Sequence, residues 1–116
     1  MDFKKFTLFL KEDFNKSNSK YPSIKFFRSE LILIMIWFWI LEKYYKNEIC
    51  ISENLIQEIP TEIASRPTIF KFLEVAISKG YILKNSDLDD KRKLSLKPSV
   101  QTIKEFESWA IGFKGY

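Results

Sequence analysis

Eight basic residues fall between positions 66 and 97: Arg66, Lys71, Lys79, Lys84, Lys91, Arg92, Lys93 and Lys97. The same stretch holds four acids, Glu74, Asp87, Asp89 and Asp90. The net charge of the chain is +4, and outside this stretch the two signs balance. A local positive excess of this kind suits contact with a polyphosphate. Composition offers a rival account: 16 of the 19 basic residues are Lys, and Ile and Asn are also frequent. That is the bias an AT-rich genome produces with no functional demand.

Other chemistries lack their parts. The chain has no His and one Cys, Cys50. Ser-His-Asp and Cys-His catalysis therefore want a base, a Cys/His zinc site cannot be assembled, and no internal disulfide can form. Asp87, Asp89 and Asp90 make a DxDD cluster, but the Gly and distal Glu of a calcium loop are missing, so no metal is expected there. No Gly-rich phosphate loop accompanies them, and neither a cofactor nor an enzymatic step is expected. Cys50 lies between Ile49 and Ile51, which reads as a small buried hydrophobe rather than a reactive thiol.

These residues need a scaffold. The 116 residues suit one domain, and 16% aromatic content can build a core. Charges interrupt the first residues throughout, so no secretory signal is expected and the default location is cytoplasmic. Leu31 to Leu41 is an unbroken apolar run, short of the ~20 residues that span a bilayer. It predicts a helix buried nearly all round and no membrane association.

Phe3, Phe6, Leu10 and Phe14 recur at helical spacing, and the helix they predict breaks at the Asn/Ser cluster before Pro22. Ser23 then caps a helix from about Ile24 to Tyr45. A short strand follows at 49–51. Ser52 caps a helix with Leu55, Ile56 and Ile59 on one face, Pro60 ends or kinks it, and Ile63 and Ala64 close its apolar stripe. Ser65 opens another helix, with Pro67 in its first turn, Ile69, Phe72, Leu73, Ala76 and Ile77 inward, and Gly80 as the stop. Two strands, at 81–85 and 94–97, flank a polar turn as a hairpin. Ser99 begins a last helix whose inner face would use Val100, Ile103, Phe106 and Ala110, with Trp109 beside them. The expected fold is mainly α (α+β): a winged helix-turn-helix with a small antiparallel β-hairpin wing. Its parts are N-terminal helices over 1–47, the helix-turn-helix and wing over 48–97, and a C-terminal helix over 98–116.

In its second half the chain resembles the MarR-type winged-helix transcriptional regulators. The resemblance rests on Ser65 and Thr68 at the helix start, Ile69, Lys79-Gly80, Tyr81-Ile82, Asp90-Lys91-Arg92 in the wing, and Leu94-Ser95-Leu96. It departs from that family in Pro60, in a longer approach to Ser65, and in a C-terminal segment shorter than the usual dimerisation arm. It implies sequence-specific binding of double-stranded DNA, with recognition helix 66–79 in the major groove and wing 84–96 on the minor groove.

On that reading Arg66, Thr68, Phe70, Lys71 and Glu74 face outward. Arg66 suits guanine or phosphate, Thr68 a phosphate or thymine methyl, and Lys71 phosphate. Phe70 suits either base methyls or a core or dimer position. Arg92 resembles the family's minor-groove arginine, oriented by Asp90. Lys84, Lys91 and Lys93 complete the DNA-contacting set. Taken alone, the 87–93 charges read as a solvated loop.

Trp37, Phe38 and Trp39 cannot all point one way on a helix, so part of the set is expected to face a second subunit of a homodimer. A pocket for a small-molecule effector beside them is an alternative. The rival function is a winged-helix protein–protein interaction module without DNA binding.

Overall fold

The computed structural model describes residues 2–86 and 94–112, with the side chains of all of these but 16–19 and 86. Helix α1 (Phe3–Lys20) leads to α2 (Pro22–Phe27), α3 (Leu31–Tyr45) and the two-residue strand β1 (Cys50–Ile51). Then follow α4 (Ser52–Glu58), α5 (Arg66–Ser78), β2 (Ile82–Ser86), β3 (Leu94–Pro98) and α6 (Val100–Ile111). The three antiparallel strands lie in the order β1-β3-β2. This is the mainly helical winged helix-turn-helix expected from the sequence.

The core forms around α3, where Ile32, Leu33, Ile36, Trp37, Trp39, Ile40 and Leu41 are all buried. The Trp37 ring stacks on Phe27 at 6.0 Å and meets Phe106 edge-on at 5.6 Å. Of the three consecutive aromatics only Phe38 stays exposed, at 57%. Both long helices around the core stop in the same way. Asn47 (φ 56°) and Gly80 (φ 80°) take the left-handed conformation just past α3 and α5. The Glu48 and Tyr81 amides then reach back to the Lys43 and Ala76 carbonyls.

Five local expectations are corrected. Helix α1 runs through the Asn/Ser cluster to Lys20, because those residues weaken a helix only slightly. Pro22 is the real stop, since it holds Tyr21 extended (φ −120°, ψ 97°). The single helix 24–45 is two helices. The Ser29 hydroxyl donates to the Phe26 carbonyl at 2.6 Å, which ends α2, and Glu30 is extended.

Ser23 is consequently a buried member of α2, whose amide and hydroxyl donate to Glu105 Oε1 of α6 at 2.9 and 2.6 Å. Val100 is 63% exposed and Ile63 38% exposed. The inner face of α6 is centred instead on Thr102, whose hydroxyl donates to the Tyr81 carbonyl at 2.8 Å. Ser99 caps α6 as expected, accepting from the Thr102 amide.

Candidate nucleic-acid interface

Helix α4 ends where Ile59 becomes extended ahead of Pro60. The Pro60 carbonyl then accepts from the Ile63 amide at 2.9 Å, turning the chain toward Ser65. Ser65 has the extended backbone of an N-cap, but its hydroxyl pairs with the Thr68 hydroxyl at 2.9 Å rather than with a backbone amide. Helix α5 buries Ile69, Leu73 and Ala76 against its neighbours α3 and β2.

Those three residues define the opposite face. Successive helical residues turn by about 100°, so Pro67, Lys71, Glu74, Val75 and Ser78 project outward, and all five are exposed. The outward placement of Lys71 and Glu74 agrees with the sequence reading. Pro67, Val75 and Ser78 were missed there, although the spacing of the buried residues already implies them.

Arg66, Thr68 and Phe70 lie on the flanks of α5. Thr68 is half-buried, which corrects its expected outward position; Phe70 is half-buried and packs against the core, one of the two placements weighed for it. Arg66 is exposed but engaged. Its Nη2 donates to Glu53 Oε1 of α4 at 2.7 Å, and its guanidinium lies 5.5 Å from the Phe70 ring centroid.

In the wing, Lys84 stands opposite Leu96 and Lys97 opposite Leu83. Strand alternation therefore sends these two exposed lysines to opposite faces of the hairpin. Asp90, Lys91, Arg92 and Lys93 lie outside the described residues, as do Asp87 and Asp89.

The charge on the first helix of the motif has the other sign. Between residues 48 and 65 the sequence carries Glu48, Glu53, Glu58 and Glu62 and no base. Between residues 48 and 97 the bases thus all fall in α5, the hairpin and the turn joining them, with an acidic α4 beside α5. Cys50 is 3% exposed, and burial pushes its thiol up to about 11, so it stays protonated at neutral pH. This agrees with a packing role.

A cavity of about 520 Å³ opens between α1 and α6, lined by Phe9, Asp13, Tyr21, Trp109 and Ile111 among others. Trp37 and Trp39, beside which a pocket was the alternative reading, do not line it, but Trp109, which does, lies 5.8 Å from the Trp37 ring. Asp13 clamps this junction, accepting from Trp109 Nε1 (2.9 and 2.7 Å) and from Arg28 Nη2 (3.0 Å). Among the described residues no group of three or more His, Cys, Asp or Glu could hold a metal ion, and no helix is long and apolar enough to cross a membrane.

No family model matches the sequence, and no curated protein matches it. Among solved structures the fold is similar to a mutant MepR from a multidrug-resistant S. aureus clinical isolate. The TM-score is 0.60 at 12% identity, over 97% of this chain and 76% of that one. The likeness at this identity is one of fold, a winged helix.

Proposed function

We propose that the chain binds double-stranded DNA as a MarR-like transcriptional regulator, with α5 in the major groove and the wing on the minor groove. The observation that carries this reading is the outward stripe of α5, the second helix of a helix-turn-helix, which is free of the core and leads into a hairpin within a stretch of net charge +4. Lys71 is the central phosphate contact on that stripe, and Arg66 reaches the groove from its flank. Lys84 joins them from β2, and the sequence adds Lys91, Arg92 and Lys93, with Asp90 orienting Arg92. Thr68 and Phe70 act from the flank as supports.

A homodimer belongs to the same reading. Phe3, Leu10 and Phe14 form one exposed stripe on α1, and Phe38 is exposed on α3, so apolar surface remains for a second copy to cover. A small-molecule effector would be sought in the cavity between α1 and α6. The reading goes with a cytoplasmic location and includes no chemical step.

The test is recovery of sheared genomic DNA by the purified protein, followed by sequencing of the bound fragments. A shared sequence among enriched fragments supports sequence-specific regulation. Recovery no greater than with Lys71→Ala overturns it. A second reading, a protein–protein interaction module, is favoured by the acidic α4, which would repel phosphates beside α5. It predicts that Lys71→Ala leaves function unchanged.

A further inference from the structure

The ion pair between Arg66 and Glu53 joins the two helices of the motif at the start of α5. It contributes little to stability, because the side chains are 60% and 37% exposed and water screens the attraction. Its effect is on orientation. The carboxylate takes one Nη2 hydrogen, and the Phe70 ring lies beside the guanidinium at 5.5 Å. A guanidinium has five N–H donors in a fixed fork. The described contacts therefore hold the group from one edge and one side and leave the remaining donors for a ligand.

We infer that Glu53 is a positioning residue that sets the Arg66 guanidinium against Phe70, so that it meets a duplex as a pre-oriented fork. The inference rests on the DNA-binding reading and adds to it a determinant of discrimination on the neighbouring helix. Two consequences of opposite sign follow. Pre-orientation reduces the side-chain freedom lost when Arg66 engages a base edge, which favours the cognate sequence. The same carboxylate repels phosphates, which weakens binding to every sequence alike. Glu53 thus lowers overall affinity while raising discrimination.

The experiment uses the full chain and a randomised duplex pool, with selection at low salt. Wild type, Glu53→Ala, Glu53→Gln and Arg66→Ala are then titrated against the best selected duplex and against the unselected pool. Glu53→Ala is expected to bind the pool more tightly, by about threefold for one phosphate-repelling charge removed. Its preference for the selected duplex should fall by about fivefold or more, the scale of one lost bidentate base contact. Glu53→Gln keeps an acceptor oxygen without the charge, so it should gain affinity for the pool yet keep most of the preference. Arg66→Ala should lose the preference outright.

Equal gains for selected and pool duplexes in Glu53→Ala would reduce Glu53 to a charge mask and overturn the inference, as would no change in either. If wild type retards no duplex at low salt, the DNA-binding reading itself fails and the inference falls with it. Thermal melts of all four proteins verify folding.

Discussion

Asp13→Ala should loosen α1 from the rest of the molecule, and the cost can be worked from three contacts. Asp13 is 9% exposed at its side chain, and Arg28, which donates to it, is 13% exposed. Arg28 Nη1 is buried with no hydrogen-bond partner, and its guanidinium lies 4.8 Å from the Trp109 ring centroid. Removing the carboxylate strands a buried cation and leaves the Trp109 indole N–H without its acceptor. Breaking one side of a buried ion pair costs about 3–5 kcal/mol. The slight exposure of both groups places this pair at the lower end, about 3 kcal/mol. Against a typical domain stability of about 5–15 kcal/mol that loss is large.

Urea unfolding followed by tryptophan fluorescence reads it, because Trp109 is one of the groups released. Asp13→Asn, which keeps an acceptor for the indole, should lose less. Arg28→Met in the Asp13→Ala background should recover part of the loss, since the stranded charge is gone. A loss below about 0.5 kcal/mol, or strict additivity of the Asp13 and Arg28 changes, would refute the clamp.

Glu105→Ala removes the acceptor for the amide and hydroxyl of the fully buried Ser23 and should cost about 2–3 kcal/mol in the same assay, with Glu105→Gln milder. Stability should also fall at alkaline pH. Burial holds the Cys50 thiol up at about 11 against its ordinary 9.0, so the unfolded chain ionises first; the cysteine's contribution is complete below about pH 9 and is lost as pH rises through 11. Burial, aided by Glu107, likewise raises the Tyr45 hydroxyl to about 12. Denaturation midpoints measured across that window should fall less steeply for Cys50→Ala than for wild type. In the same folded protein a thiol reagent should react with Cys50 far more slowly than after denaturation.

The core of α5 reads directly from the sequence, because Ile69, Leu73 and Ala76 repeat at the helical period and a glycine stands where the left-handed stop is needed. The hairpin is equally legible from the change of period after Gly80. The α2–α3 break was not legible, since it depends on a Ser29 hydroxyl reaching the Phe26 carbonyl and on Arg28 reaching Asp13 across the fold. Position 23 misleads for a related reason. A serine ahead of an apolar run looks like a cap, but here a glutamate 82 residues later supplies the acceptor.

On the candidate interface, residue type led to Arg66, Thr68, Phe70 and Lys71, whereas helical geometry keeps Lys71, moves the other three to the flanks and adds Pro67, Val75 and Ser78. Arg66 and Lys71 are five residues apart and diverge by about 140° around the axis. A single cationic face on α5 is therefore narrower than its charge count implies. The pairing of Arg66 with Glu53 had no signal in either segment alone, because it exists only once the turn at Pro60 brings α4 beside α5.

The most direct test of the DNA-binding reading is the salt dependence of affinity for a labelled duplex, measured by fluorescence anisotropy. Each phosphate contact contributes about 0.9 to the slope of log affinity against log salt. Wild type should therefore show a steep negative slope, and Lys71→Ala should reduce its magnitude by about one unit. Absence of binding at low salt, or a slope unchanged by Lys71→Ala, would contradict the placement of α5 against DNA.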